Sequence, residues 1–260
     1  MAESPGKFIG RKEVIMMKYG LQMYTLRELT GGDMPGILKK VADMGYEGVE
    51  LAGFGSSTPE EMPALLRENG LSLISAHIGY QDLQKDGPLW AERMQAMDCA
   101  RITLPWMDPR RLEADSIGQT ADMINELAEQ LKPHGIELSY HNHDFEFVDG
   151  RYDRLMQLCP ALKFELDTYW VRFAGFDPVE VMKRYADRIV LVHLKDMLDK
   201  DPVTHEDPNP VLMTGTVDVA AIVGQAEAMR IPWGIVEMDR PVGDPLAAVE
   251  ESLRNLKKAE

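Results

Sequence analysis

Apolar residues along the chain switch between two spacings. Short runs rich in Val, Ile, Leu and aromatic residues are each followed by a longer stretch with apolar positions three and four apart. The first short run, Tyr19-Gly-Leu-Gln-Met-Tyr24, reads as a strand, and Ile37-Leu-Lys-Lys-Val-Ala-Asp-Met44 reads as a helix closed by Gly45. Further strands are predicted at 48–51, 71–77, 100–104, 136–141, 162–167, 189–194 and 233–238. Helices are predicted at 58–70, 88–98, 115–133, 151–158, 177–185, 217–229 and 243–258. Two helix starts are marked by capping chemistry. In Thr58-Pro59-Glu60-Glu61 and Asp177-Pro178-Val-Glu180 an N-cap residue precedes a first-turn Pro and a Glu that can reach back to the cap.

The series amounts to eight strands, each followed by a helix, with no Ser/Gly-rich linker and no shift in composition. Alternating strands and helices imply parallel strands joined by helical crossovers. Eight such units in about 240 residues match a single-domain (β/α)₈ TIM barrel. The barrel is expected over 17–260, after a polar N-terminal extension at 1–16. A doubly wound open sheet is the alternative; it offers no ring on which the polar residues below could converge.

Composition narrows the partners. The 260 residues are 45% hydrophobic, enough for a sizeable core, and carry a net charge of −15. That charge argues against binding a nucleic-acid backbone or an anionic membrane. Homo-oligomerisation stays open. Cys99 and Cys159 are the two cysteines, which excludes a disulfide scaffold and fits a reduced, cytoplasmic setting. No apolar run reaches the roughly 18 residues of a membrane span, and no signal-peptide pattern is present.

The chemistry gathers at strand ends, where the active site of such a barrel lies. His141 and His143 are two apart on the fifth strand and share a face, with Asp144 and Glu146 following at once. Glu50 ends the second strand and His77 the third; Asp167 ends the sixth, His193 with Lys195 and Asp196 the seventh, and Glu237 with Asp239 the eighth. Period two turns Glu165 and Asp167, His193 and Lys195, and Glu237 and Asp239 into the barrel. Any one of these alone reads as a structural polar residue. Several carboxylates converging in a buried place require a compensating cation.

In order along the chain, Tyr140-His-Asn-His-Asp-Phe-Glu-Phe147, Leu166-Asp-Thr-Tyr-Trp170, Val192-His-Leu-Lys-Asp196, Gly215-Thr-Val-Asp218 and Val236-Glu-Met-Asp239 resemble the xylose-isomerase-like barrel superfamily, also named sugar phosphate isomerase/epimerase. The resemblance runs from about Tyr19 to Leu256. It implies one divalent metal held by Glu, Asp, His and Glu from the fifth to eighth strands. Asp167, His193 and Glu237 match the last three positions. The strand-five ligand is either His141 or Glu146, with Glu146 favoured. Such a mostly hard donor set suits Mn²⁺ first, then Mg²⁺, Co²⁺ or Zn²⁺. Trp170 stands where several members place a histidine, which with the acidic charge argues against the nuclease branch and its trinuclear zinc site.

The chemistry this implies is removal of a proton α to the carbonyl of a keto-sugar or keto-glycoside, with isomerisation or epimerisation as the outcome. His143, His141 and Glu237 are the candidate acid/base groups, since imidazole titrates near neutrality. Glu50, His77, Trp106, Trp170 and Lys195 are candidate substrate contacts, with Tyr24 and Phe145 as further stacking surfaces. A 2-keto-inositol dehydratase or a keto-glycoside β-eliminating lyase would use the same metal site, and a non-catalytic sugar-binding barrel would keep only the pocket. No Gly-rich phosphate loop is recognisable, so an unphosphorylated carbohydrate is expected.

Overall fold

Residues 16–259 are described by a computed structural model, so all but Met16 of the expected N-terminal extension lies outside the described residues. In chain order the elements are β1 (Lys18–Gln22), α1 (Arg27–Met44), β2 (Gly48–Leu51), α2 (Met62–Glu68), β3 (Ser72–Ala76), α3 (Tyr80–Ala96), β4 (Arg101–Leu104), α4 (Ile117–Leu131), β5 (Glu137–His141), α5 (Arg151–Leu158), β6 (Lys163–Asp167), α6 (Thr168–Phe173), α7 (Pro178–Arg184), β7 (Ile189–Leu194), α8 (Val219–Ala228), β8 (Trp233–Val236) and α9 (Pro245–Ala259). Seven neighbouring strand pairs are parallel, in the order β3-β2-β1-β8-β7-β6-β5-β4. The ring closes between β3 and β4, where His77 pairs with Thr103 and Ile78 N donates to Thr103 O at 3.0 Å. The fold is a single-domain (β/α)₈ TIM barrel. Among the described residues no helix is long and apolar enough to cross a membrane.

Outward-facing strand residues such as Tyr140, Phe164, Leu166, Val192 and Leu194 are fully buried under the helices. Each aliphatic or aromatic side chain so buried contributes roughly 1.5–3 kcal/mol. Inside the ring, Ile74, Leu191 and Ile235 form a separate apolar floor. Ile74 reaches the axis because β3 carries a bulge: Val49 pairs with Leu73 and Glu50 with Ser75, which leaves Ile74 as the extra residue. Two glycines make room for it, since a Cβ at Gly20 or Gly48 would lie 2.2 or 2.9 Å from an Ile74 side-chain atom.

Local chemistry explains where the helices depart from the periodic pattern. α1 starts earlier than expected and bends at Asp33 (φ −154°, ψ 69°). Asp33 Oδ1 accepts from Gly36 N at 2.9 Å, so it caps the part that the pattern marks. α3 likewise bends at Asp86, two residues before Pro88, and its second half is the predicted helix. The Thr58 box forms reciprocally, with Thr58 N donating to Glu61 Oε2 at 2.9 Å and Glu61 N to Thr58 Oγ1 at 3.3 Å, one turn ahead of α2. α6 is absent from the expectations: Thr168-Tyr-Trp-Val-Arg-Phe173 has no polar face to reveal a period.

Candidate metal centre and reaction pocket

The carboxyl ends of β5 to β8 bring His141, Asp167, His193 and the residue after β8, Glu237, to one place. All are buried, and one donor atom from each lies within 4.8 Å of the others. Asp167 is fixed by its neighbour strand. Its N–H donates to Asn142 Oδ1 at 3.0 Å, its carbonyl accepts from Asn142 Nδ2 at 3.2 Å, and its Oδ1 caps α6 through Trp170 N at 3.1 Å. Oδ2 is left for the interior. It lies 2.9 Å from Lys195 Nζ but makes no hydrogen bond. Lys195 is fully buried between three carboxylates, 2.9 Å from Asp167 Oδ2, 2.9 Å from Glu237 Oε2 and 2.8 Å from Asp239 Oδ2.

Charge governs this layer. Burial opposes the Lys195 ammonium, but Asp167, Asp239 and Glu237 hold its pKa well above the usual lysine range. Burial likewise opposes the Glu237 carboxylate, yet Lys195 and His193 hold it well below the usual carboxylate range. Three carboxylates share one ammonium, and one of their oxygens, Asp167 Oδ2, lacks a hydrogen bond. Two imidazole nitrogens and two carboxylates around that deficit of positive charge fit a divalent cation.

A second polar layer lies beneath. Glu165 Oε1 is 2.7 Å from His77 Nε2, 3.0 Å from His141 Nδ1 and 3.0 Å from His193 Nε2. Its Oε2 accepts from Thr103 Oγ1 at 3.0 Å, and Thr103 is linked to Ser75 and Ser139 at 2.7 Å each. Glu50 Oε2 accepts from Gln22 Nε2 at 2.7 Å and lies 2.7 Å from His193 Nε2. Burial alone would lower the His77 pKa, but Glu50 and Glu165 raise it to about 10, so His77 is an imidazolium at neutral pH.

Above the upper donor set opens a cavity of about 300 Å³ lined by His77, His141, His143, Glu237 and Asp239, with Tyr24 and Trp106 among its remaining walls. His143 Nδ1 is buried without a hydrogen-bond partner. Burial, aided by His141 and Lys195, pushes the His143 pKa well below the ordinary histidine value. Its ring stacks on Phe145 at 5.6 Å and lies 5.4 Å from Trp170. A second cavity of about 250 Å³ shares Tyr24 and Asp239 with the first and is bounded by Trp170 and His205.

The structure thus gathers His77, His141, His143, Asp167, His193, Lys195 and Glu237. It does not bring Glu146 into either donor set. Instead of reaching either donor set, the Glu146 carboxylate accepts from the Tyr140 hydroxyl and, at 2.8 Å, from His143 N, as the chain turns just beyond β5. His141 stands in the donor set in its place. Glu50, expected at the substrate, is fully buried against Gln22 and His193 and lines neither cavity. Trp106 lines the first cavity and Trp170 the second. Glu165 and Asn142 carried no assignment from the sequence. The inward period of Glu165 was its only signal, and Asn142 stood out only as a member of the Tyr140-to-Phe147 motif.

A family model described as Xylose isomerase-like TIM barrel matches residues 38–259. Among curated proteins, the chain is 32% identical over 189 residues to an inosose dehydratase of Geobacillus kaustophilus, covering 62% of this chain and 61% of the relative's length. It is 28% identical over 228 residues to the rhizopine catabolism protein MocC of Rhizobium meliloti, covering 75% and 69%. A crystal structure of a sugar phosphate isomerase/epimerase from Parabacteroides distasonis superposes with a TM-score of 0.79 at 26% identity, covering 93% of this chain and 98% of that one.

Proposed function

Since the chain belongs to the xylose isomerase-like TIM barrel family, we propose that it is a divalent-metal-dependent lyase that removes water from a keto-cyclitol of the inosose type. The observation that carries the proton-transfer part is His143: a buried imidazole, neutral at neutral pH, with an unpartnered Nδ1, on the wall of the cavity over the donor set. The likeness to an inosose dehydratase supports elimination over isomerisation.

His141, Asp167, His193 and Glu237 would hold the ion. When bound, it supplies Lewis acidity to a substrate carbonyl. His143 takes the proton from the carbon α to that carbonyl; the C–H pair becomes the new C=C bond as the β C–O bond breaks. The hydroxyl leaves with a proton as water, and His143, having taken the α proton, can return it there. His77, an imidazolium on the cavity wall, offsets negative charge that develops on the substrate oxygen. The Tyr24 and Trp106 rings, 42% and 50% exposed, flank the mouth, where a hydroxylated ring can lie against them.

The test is mass spectrometry of 2-keto-inositol incubated with metal-loaded protein, run in D₂O. Wild type loses one water. His143→Ala loses on the order of 10²-fold in rate with metal content unchanged. Equal rates in the two proteins would remove His143 from the chemistry. The likeness to the Parabacteroides isomerase/epimerase favours a second outcome on the same site, return of the α proton to carbon. Solvent deuterium in an intact, undehydrated substrate would select it.

A further inference from the structure

Two donor sets overlap in this barrel. The upper one is His141, Asp167, His193 and Glu237; the lower one is His77, His141, Glu165 and His193. We propose that only the upper set holds an ion, and that Glu165 is the positioning residue that presents His141 and His193 to it. This rests on the metal-dependent reading above.

The argument starts from what a carboxylate can do. An ionised carboxylate only accepts hydrogen bonds, so an imidazole nitrogen bonded to it carries the proton. Glu165 Oε1 has three such nitrogens within 3.0 Å: His77 Nε2, His141 Nδ1 and His193 Nε2. Glu50 Oε2 shares the last, at 2.7 Å. The tautomers follow. His141 keeps its lone pair on Nε2, which faces Asp167 Oδ2 at 3.7 Å. His193 Nδ1 is hydrogen-bonded to Glu237 Oε2 at 2.9 Å, so the proton between them is the one that an ion in the upper set would displace. His141 Nε2 and His193 Nδ1 therefore both point up, each toward a carboxylate of the upper set. A lone pair and a carboxylate oxygen facing each other repel unless a cation or a proton lies between them. Metal-bound histidines commonly donate their other N–H to a carboxylate, and here one carboxylate serves two of them.

Glu165 is itself held. Its second oxygen accepts from Thr103, which is braced by Ser75 on β3 and Ser139 on β5. To bind an ion in the lower set, His77, His141 and His193 would all have to give up protons that Glu165 and Glu50 now accept, whereas the upper set releases only the His193 proton shared with Glu237. That set is a hydrogen-bonded cradle for the upper one.

The experiment titrates Co²⁺ into the metal-free full chain, followed by its visible absorption bands and by calorimetry. Wild type should bind one Co²⁺ per chain. Glu165→Gln should still bind one, with affinity about 10–100-fold lower and with shifted absorption bands, since two imidazoles lose the partner that aims them. Two equivalents in wild type with one lost in the variant would make the lower set a metal site and overturn the proposal. One equivalent with unchanged affinity and bands in the variant would also overturn it, while leaving the metal-dependent reading intact. No binding by wild type would overturn that reading and this proposal together. If Glu165→Gln fails to fold by circular dichroism, Thr103→Val removes only the brace on Glu165. It should weaken Co²⁺ in the same direction by less, and unchanged affinity there counts against the proposal.

Discussion

His143 and Glu146 sit three residues apart and are tuned in opposite senses to the same end. Burial keeps the His143 imidazole unprotonated and pushes the Glu146 carboxyl up to about 7, against the hydrogen bonds it accepts from Tyr140 and His143 N–H. The Glu146 shift has a stability consequence. Its folded pKa lies above its unfolded value, so the protonated form is favoured in the fold; stability is intact at low pH and is lost as pH rises from about 4.5 to about 7. The loss is on the order of 3 kcal/mol for a group this deeply buried. Glu146→Gln should therefore gain stability relative to wild type as pH is raised through that window, read by urea denaturation at the two ends. Metal content should be unchanged. A parallel pH dependence in both proteins would show that the carboxyl does not titrate there. The competition between His141 and Glu146 could not be read from sequence. It depends on the turn just after β5 and on Tyr140, whose side chain leaves the outer face of β5 and whose hydroxyl still captures the carboxylate.

Among the elements, the connection from β7 to α8 is the one built over the site. Two side chains tie it down. Asp196 accepts from Met197 N (2.8 Å) and Val217 N (3.0 Å) with one oxygen and from Gly215 N (2.8 Å) with the other. A side chain at Gly215 would meet Met197 O at 2.1 Å, so the Gly215-Thr-Val-Asp218 motif marks a close backbone crossing. Asn209 Oδ1 accepts from Asp239 N (2.9 Å) and Arg240 N (3.3 Å), joining the loop to the residues that follow β8. Between these ties His205 reaches across to Asp144 at 3.1 Å and stacks on Trp170. Asn209→Ala leaves two backbone donors without partners, at about 1–3 kcal/mol. Limited proteolysis within 197–208 should quicken by about tenfold or more while the barrel's unfolding stays a single transition. Unchanged cleavage would mean that Asp196 alone holds the loop. The motif's residues were visible in the sequence, but the role of Asn209 was not, because its partners are 30 residues away.

At the scale of the whole molecule, the eightfold alternation of periods was enough to name the barrel, and period two was enough to turn Asp167, His193, Lys195 and Glu237 inward. What stayed hidden was height. Whether an inward residue meets substrate, metal or a supporting layer depends on the stagger between strands. That stagger is shifted by bulges at Ile74 and between Phe164 and Glu165, which no single strand's pattern reveals. Glu50 and Glu165 read as equals of Asp167 and Glu237 along the chain, yet they lie a layer below.

The floor of Ile74, Leu191 and Ile235 turns the reaction pocket into a cul-de-sac. With the barrel stopped from below, whatever arrives between Tyr24 and Trp106 must depart the same way, and traffic is strictly one at a time. Product still lodged in the pocket then blocks the next substrate outright. For the proposed dehydration, initial-rate measurements with added product should give purely competitive inhibition, with lines meeting on the rate axis. A mixed pattern would reveal a second way out of the barrel.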